Sequence, residues 1–211
     1  RGEGFIFIAA AFSFVAVTLG VAALVIVMSV MNGVRADLFD KIVGLNGHAV
    51  VQALGGRLDD WREVLKQAKA TPDVVSATPL IEQPLLATFN GRVEGILVRG
   101  MTVPDIRNNQ TLGGKVLQGN LNTLTANAGN VAIGSELARN IGATVGSNLT
   151  IINPQGRPTP FGTVPREISY RVTAVFEIGV YDFDKMYVVM PMEDAQLLLL
   201  SGDQVGMIRQ S

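Results

Sequence analysis

The 211-residue sequence contains no cysteine and a single histidine, His48. The absence of cysteine excludes disulfides, thiolate metal ligands and cysteine nucleophiles. One histidine cannot by itself build a histidine-rich zinc site. His48 follows a glycine at the start of an apolar run, where a structural or surface role is the simplest interpretation. The residue types therefore predict no metal site, no cofactor and no catalytic centre.

Neither sign of charge is in excess, because 17 basic residues face 18 acidic ones for a formal net charge of −1. A protein that holds a nucleic-acid backbone needs a basic surface, so this balance excludes nucleic acid as a partner. The sequence also lacks the G-x-x-x-x-G-K-[ST] motif of a phosphate-binding loop. The chain is therefore not expected to hydrolyse ATP alone, and an enzyme is the function class that it favours least.

The longest apolar run lies near the first residue. No charged residue occurs from Gly4 to Val34, and the polar interruptions are few: Ser13, Thr18, Ser29 and Asn32. About 20 apolar residues suffice to cross the hydrocarbon layer of a bilayer. A signal peptide has an apolar region of only about 7–15 residues, and a buried core helix is the other alternative. We predict that residues 1–34 form a transmembrane helix.

The pattern changes from continuous to periodic after Gly33. The apolar residues now fall on one helical stripe: Val34, Leu38, Phe39, Ile42 and Val43. Asp37 and Lys41 lie on the other side at a spacing that allows them to pair across one turn. Residues 35–46 are therefore predicted to continue the helix into water as a stalk. An amphipathic segment lying on the core of the following domain is an equally acceptable interpretation.

Residues 47–211 alternate short β-rich runs with short helices, without a long linker or an internal repeat. Strands are predicted at 48–54, 74–81, 84–89, 93–101, 168–179 and 186–190. Asn90-Gly91 is a strong signal for a hairpin turn. Residues 58–70 predict a helix with Trp61 on its core-facing stripe, and 108–130 are predicted to be a surface loop. The fold class is α+β: a mixed or antiparallel sheet with an inserted subdomain.

The segment 131–152 has the composition of a compact strand–helix–strand unit. Ser135 is predicted to cap the helix, Gly142 to end it and Gly146 to form a turn. Further along, Pro191 is predicted to open a last helix with acidic residues in its first turn. These signals place the connections of the domain at defined positions.

A proline-rich segment, residues 153–166, is the most specific local feature. Four prolines restrict its backbone and remove hydrogen-bond donors, so the segment is predicted to stay out of the sheet as a stiff, hairpin-like loop. Phe161 lies near its tip, where an exposed aromatic side chain is suited to enter an apolar pocket of a partner. A rigid surface loop without a partner is the alternative.

The sequence resembles a known family over nearly its whole length. The segment SVMNGVRADLFDKIVGLNGHAVV (29–51) is similar to the end of the first transmembrane helix of the LolC/LolE lipoprotein-releasing permeases. The segment IGSELARNIGATVGSNLTI (133–151) resembles a block shared by MacB-like periplasmic core domains and FtsX-like permeases. The segment VTAVFEIGVYDFDKMYVVMPMEDAQLLL (172–199) resembles the last part of the LolC/LolE periplasmic domain.

The resemblance implies an inner-membrane ABC transporter permease whose periplasmic domain, here 47–211, lies between the first two of four transmembrane helices. It also implies a cytoplasmic LolD-like ATPase, a second permease subunit, membrane lipids, a lipoprotein substrate and a LolA-like periplasmic chaperone as partners. A loop at the position of 153–166 is the family's chaperone-recruiting hook. The residues implied are Pro158, Thr159, Pro160, Phe161, Gly162, Pro165 and Arg166. Position 161 departs from the methionine associated with the hook but stays apolar.

The resemblance further implies that the first helix lines a lipoprotein cavity. Met28, Met31 and Val34 lie at helical spacing, and flexible, polarizable methionine suits contact with acyl chains. Packing against a neighbouring helix is the alternative for this stripe. MacB-like export and FtsX-like regulation of wall hydrolases remain competing functions. The Asp182 and Asp184 pair is interpreted as a solvated turn or as polar contacts between subdomains, because the ligands of a calcium loop are missing.

Overall fold

The computed structural model describes residues 3–46, 49–52, 58–72, 74, 76–159 and 162–210. For residues 3–7, 9, 35–46, 110, 157–159 and 210 it describes the backbone alone. The chain divides into two compact units, residues 1–43 and residues 44–211. His48 lies outside the described residues, as do the side chains of the predicted Asp37–Lys41 pair.

Helix α1, Glu3–Asn46, is unbroken over 44 residues and accounts for the described residues of the first unit. Its segment Ala10–Val34 is 25 residues long, with a mean hydropathy of 2.6, and none of it is buried within the protein. By length and composition, this segment is able to cross a membrane. The backbone stays helical through residues 35–46, where the sequence predicts a stalk.

The second unit contains nine strands, six α-helices and one short 3-10 helix among the described residues. The strands are β1 (Ala49–Val51), β2 (Ala77–Phe89), β3 (Arg92–Met101), β4 (Val116–Gly119), β5 (Asn130–Gly134), β6 (Asn148–Thr159), β7 (Gly162–Phe176), β8 (Tyr187–Pro191) and β9 (Met207–Gln210). The helices are α2 (Trp61–Ala70), α3 (Val103–Asn108), α4 (Gln110–Gly113), α5 (Ser135–Ile141), α6 (Tyr181–Met186) and α7 (Met192–Leu199), with the 3-10 helix at Leu121–Thr123.

The sheet is mixed, which confirms the predicted α+β class. Its strand order is β1-β9-β2-β3-β8-β5-β7-β4, with β3–β8 and β5–β7 parallel. Strand β6 pairs with both β2 and β7. The pairing therefore closes a ring of six strands, β2-β3-β8-β5-β7-β6, in which each strand has a neighbour on both sides over part of its length.

Alternating residues of the central strands divide the core between the two faces of the sheet. Ile133 and Val188 belong to the larger cluster, which α5 and α7 complete through Leu137 and Leu198. Ala132 and Val189, one position along, belong to a second cluster with Ile106 of α3 and Leu121 of the 3-10 helix. The inserted segment between β3 and β5 thus covers the second face.

Several local predictions are confirmed. Asn90 and Gly91 both have positive φ, 49° and 78°, as a tight turn between β2 and β3 requires. Gly142 ends α5 in the left-handed conformation, and Gly146 has φ of 97°. Trp61 packs against the larger cluster, and its indole N–H donates to the carbonyl of Asp203 at 2.8 Å.

Three predictions are wrong in informative ways. The two strands expected at 74–81 and 84–89 are one strand, β2, which runs through Pro84. On one side, β2 pairs with β9 at Ala77–Leu80 and with β6 at Leu86–Thr88, so Pro84 lies in the gap where no donor is needed. Segment 108–130 is not a plain loop, because it contains α4, β4 and the 3-10 helix.

Ser135 is the third of these errors, because it does not cap α5. The capping position is Gly134, and no side chain caps the helix. Ser135 is the first helical residue, and its hydroxyl is buried without a hydrogen-bond partner among the described residues. Gly134 occupies the capping position because a larger residue does not fit there: a Cβ would lie 2.2 Å from the carbonyl oxygen of Asp184.

Candidate functional site

The proline-rich segment forms a two-stranded arm, which we define as residues 153–166. Strands β6 and β7 pair continuously from Asn148↔Arg171 to Thr159↔Gly162, apart from one irregularity. Their other neighbours stop earlier, because β2 pairs with β6 only up to Ile152 and β5 pairs with β7 only from Arg171 onwards. Beyond those positions, the two strands of the arm pair only with each other among the described residues.

This arrangement corrects the prediction that segment 153–166 stays out of the sheet. The segment continues the two strands instead of leaving them. A proline is tolerated in a strand whose N–H side has no neighbour, and each strand of a two-stranded ribbon has one such side. Pro158 and Pro165 lie in this ribbon, and Pro154 lies at its irregular root. The prolines therefore prevent further strands from adding to the arm.

The predicted tip residues are described only in part. Pro160 and Phe161 lie outside the described residues, and Pro158 and Thr159 are described by their backbone in β6. Gly162 begins β7 with φ of 124°, a conformation that favours glycine. Pro165 is exposed. Arg166 is half-buried, and its Nε is buried without a hydrogen-bond partner among the described residues.

The root of the arm contains residues that the sequence did not single out. Asn153 is only 3% exposed, and its side-chain N–H donates to the carbonyl of Leu198 at 3.4 Å. Its side-chain oxygen accepts the backbone N–H of Gln155 at 3.0 Å. A small cavity of about 70 Å³ lies beside it, with Ser201 and Gln204 in its lining. No local pattern marks Asn153, because its partner is 45 residues away.

The three residues predicted to contact lipoprotein lie on the apolar segment of α1. Met28, Met31 and Val34 are 61%, 62% and 50% exposed. All three are therefore available to a partner within the membrane, whether an acyl chain or another helix. Their contacts to either remain a prediction.

Two carboxylates of the domain act as internal anchors. Asp184 is buried and accepts the backbone N–H groups of Ile178 at 2.7 Å and Gly179 at 2.9 Å. The expected solvated turn is therefore wrong for Asp184, since its carboxylate replaces water for two backbone donors. Among the residues that the structure describes, no three His, Cys, Asp or Glu side chains form a cluster suited to a metal ion.

Asp194 of α7 is the second anchor, and the sequence placed it only in the first turn of a helix. It is buried and accepts the backbone N–H groups of Asn127 at 3.0 Å and Gly129 at 3.3 Å. Burial raises the pKa of Asp194 above its usual value, and the two backbone hydrogen bonds oppose that shift. The anchor thus fixes the turn before β5 on the helix that packs in the larger cluster.

Comparison with known proteins identifies the family to which the chain belongs. Residues 10–209 match the family model described as the MacB-like periplasmic core domain. The lipoprotein-releasing system transmembrane protein LolC of Neisseria meningitidis is 29% identical over 209 residues, 99% of this chain and 50% of the relative. LolC of Xylella fastidiosa is 30% identical over 94% of this chain and 48% of its own length.

Two further matches are more distant. LolE of Haemophilus influenzae is 24% identical over 90% of this chain and 46% of its own length. The periplasmic region of MacB from Actinobacillus actinomycetemcomitans has 15% identity and a TM-score of 0.46, with 71% of this chain and 63% of that one covered. The chain spans about half the length of the curated relatives it matches. The predicted resemblance to LolC/LolE permeases is confirmed, and the chain belongs to the family of MacB-like periplasmic core domain proteins.

Proposed function

We propose that this chain is part of a permease subunit of an inner-membrane ABC transporter that extracts lipoproteins and passes them to a LolA-like periplasmic chaperone. The relatives named LolC and LolE support the transport class. The apolar segment of α1 supports anchorage in the membrane, and the match to a periplasmic core domain supports a periplasmic location for the second unit. ATP hydrolysis belongs to a LolD-like partner in the cytoplasm, and a second permease subunit completes the assembly.

The single observation that carries this proposal is the arm. Its two strands extend past the last strand on either side and converge on the sequence Thr159-Pro160-Phe161-Gly162. A paired ribbon that contains prolines has little conformational freedom as far as its last pair, Thr159 with Gly162, and this reduces the entropy lost on binding. Phe161 at such a tip is the residue that we assign to the chaperone's apolar pocket, with Pro158, Pro165 and Arg166 as its supports.

Phe161→Asp is expected to weaken binding of the chaperone at least about 30-fold, because a central aromatic anchor contributes about 2 kcal/mol or more to binding. Affinity of the chaperone for the full-length protein in detergent micelles measures this change. Leu117→Asp is the matched control, since Leu117 is another exposed apolar residue, on β4. Binding that survives Phe161→Asp unchanged would remove the assignment of the arm.

Recovery of a toxin or a wall hydrolase, rather than lipoprotein, with the purified complex would favour the competing functions.

We also propose that Met28, Met31 and Val34 contact the acyl chains of the lipoprotein. Their exposure on α1 and the polarizability of methionine support this assignment. Photo-crosslinking residues placed at these three positions are expected to capture lipoprotein in the assembled transporter, more than a crosslinker at Val15 near the other end of the segment does. Crosslinks that reach only other helices of the permease would show that the stripe serves packing.

A further inference from the structure

The two strands of the arm do not have equal numbers of residues at its root. Asn153 pairs with Arg166, and the next described pair is Arg157 with Val164. Three residues of β6, Pro154, Gln155 and Gly156, therefore face the single Pro165 of β7. The root of the arm contains an insertion of two residues on one strand.

An insertion of this kind bends the strand that carries it and increases the local twist. Because it contains two residues, it leaves the alternation of side chains unchanged, whereas a shift by one residue would exchange the two faces of the ribbon. The insertion thus changes the direction of the outer ribbon without changing which residues share a face. The direction of the arm can therefore be changed, and tested, without a change in the residues at its tip.

The irregular segment is held by specific contacts. The side-chain oxygen of Asn153 accepts the N–H of Gln155 at 3.0 Å, and its side-chain N–H reaches the carbonyl of Leu198 at the end of α7. Gly156 packs so closely on the opposite strand that a Cβ there would lie 2.1 Å from the carbonyl oxygen of Val164 and 2.7 Å from the N of Arg166. These contacts fix one geometry of the root.

We propose that the insertion at Asn153–Gly156 sets the direction of the arm and so positions its tip for the chaperone. Asn153 and Gly156 are positioning residues in this scheme and do not themselves contact the partner. The functional half of the proposal rests on the proposed function, whereas the geometric half concerns this chain alone. Each half therefore has its own measurement.

Deletion of Pro154 and Gln155 tests the geometric half. It leaves Asn153, Gly156 and Arg157 opposite Arg166, Pro165 and Val164, one residue for one, with the tip sequence intact. The native chain has no cysteine, so cysteines introduced at the exposed positions Thr163 and Leu117 carry the only two spin labels. We expect the distance between the labels, measured in the full chain in detergent micelles, to shift by several ångström. An unchanged distance distribution would overturn the proposal.

The double substitution Pro154→Ala with Gln155→Ala is the matched control, because it changes the residues and keeps their number. It is expected to retain the label distance and to bind the chaperone within about threefold of the native affinity, whereas the deletion is expected to lose at least tenfold. Equal binding by the deletion variant, with the arm displaced, would overturn the positioning role.

Gly156→Ala provides a second variant in case the deletion does not fold. The added Cβ must displace the opposite strand, so the label distance and chaperone binding are both expected to change. Native values for both would count against the proposal.

If Phe161→Asp leaves binding intact while the deletion moves the labels, the proposed function fails and the geometric inference stands. The two failures are thus distinguishable.

Discussion

Gly134→Ala is expected to destabilise the second unit by about 3 kcal/mol or more, because overpacking against atoms that cannot move aside is costly. The added Cβ would lie 2.2, 2.7 and 2.8 Å from the carbonyl oxygen, carbonyl carbon and Cα of Asp184. All three are backbone atoms of α6. Relief of the clash requires that α6 moves away from α5, and this movement also pulls the Asp184 carboxylate from the N–H groups of Ile178 and Gly179.

Gly95→Ala is the matched control for this substitution. Gly95 lies in β3, and a Cβ built there meets no atom within 4 Å. Urea unfolding of the protein in detergent micelles, followed by the fluorescence of its single tryptophan, measures both variants. Trp61 packs on the larger cluster and therefore reports on the unit that contains Gly134. A loss of less than about 1 kcal/mol for Gly134→Ala would show that the approach of α6 to α5 is not tight.

The sequence predicted elements whose signals are local. The apolar segment of α1, the Asn90-Gly91 turn and the end of α5 at Gly142 each depend on residues that are adjacent or one helical turn apart. Trp61 was placed correctly because helical periodicity identifies a buried stripe without knowledge of what covers it. For such features, the residues that cause the structure are close together in the sequence, so composition and spacing are enough to predict it.

The anchors were not predictable in the same way. The sequence suggested a solvated turn or polar contacts between subdomains for Asp184 and an ordinary first helical turn for Asp194, yet each is buried and accepts two backbone N–H groups. The donors for Asp194 lie 67 and 65 residues earlier in the chain. Ser135 was assigned as a cap on its residue type, but contact with Asp184 determines that glycine precedes it. Contacts between distant segments thus decided the roles of Asp194 and Ser135, whereas Asp184 binds N–H groups only five and six residues earlier.

The arm was predicted from the sequence only in part. Prolines predicted correctly that the segment differs from an ordinary strand, but they suggested a loop where the structure has a ribbon. A two-stranded ribbon tolerates proline on its outer sides, and the sequence does not reveal how many neighbours a strand will have. The two-residue insertion at Asn153–Gly156 is likewise a property of the register between β6 and β7, which only the paired strands define.

The closed ring of strands explains how the arm is supported. Strands β6 and β7 are both members of the ring: β2 pairs with β6 up to Ile152, next to the root of the arm, and β5 pairs with β7 from Arg171 onwards. A force applied to the tip is therefore resisted by two strands, each with a further neighbour, rather than by an isolated hairpin. The stability of the ring is accordingly a condition for a well-positioned arm, and the contacts between β2 and β3 contribute to it.

Glu82→Ala is expected to reduce the stability of this ring by about 3 kcal/mol, because it removes a carboxylate that is hydrogen-bonded to the desolvated guanidinium of Arg99. Glu82 of β2 faces Arg99 of β3 directly in the strand register. Its carboxylate accepts the Nη2–H of Arg99 at 2.7 Å and the Nε–H at 3.2 Å. The Arg99 side chain is only 2% exposed, and its guanidinium lies 4.6 Å from the centre of the Tyr187 ring on β8.

A second substitution, at Arg99, separates the loss of the ion pair from the cost of leaving a charge buried. Arg99→Met in the Glu82→Ala background is expected to recover part of the lost stability, since an apolar side chain of similar length needs no carboxylate. Glu82→Gln keeps an acceptor and removes the charge, so its effect is expected to fall between those of the native residue and alanine. The same urea unfolding followed through Trp61 measures the series. If Glu82→Ala and the double variant were equally unstable, the ring would depend on the volume of these side chains and not on their charge, because neutralising Arg99 would then bring no relief.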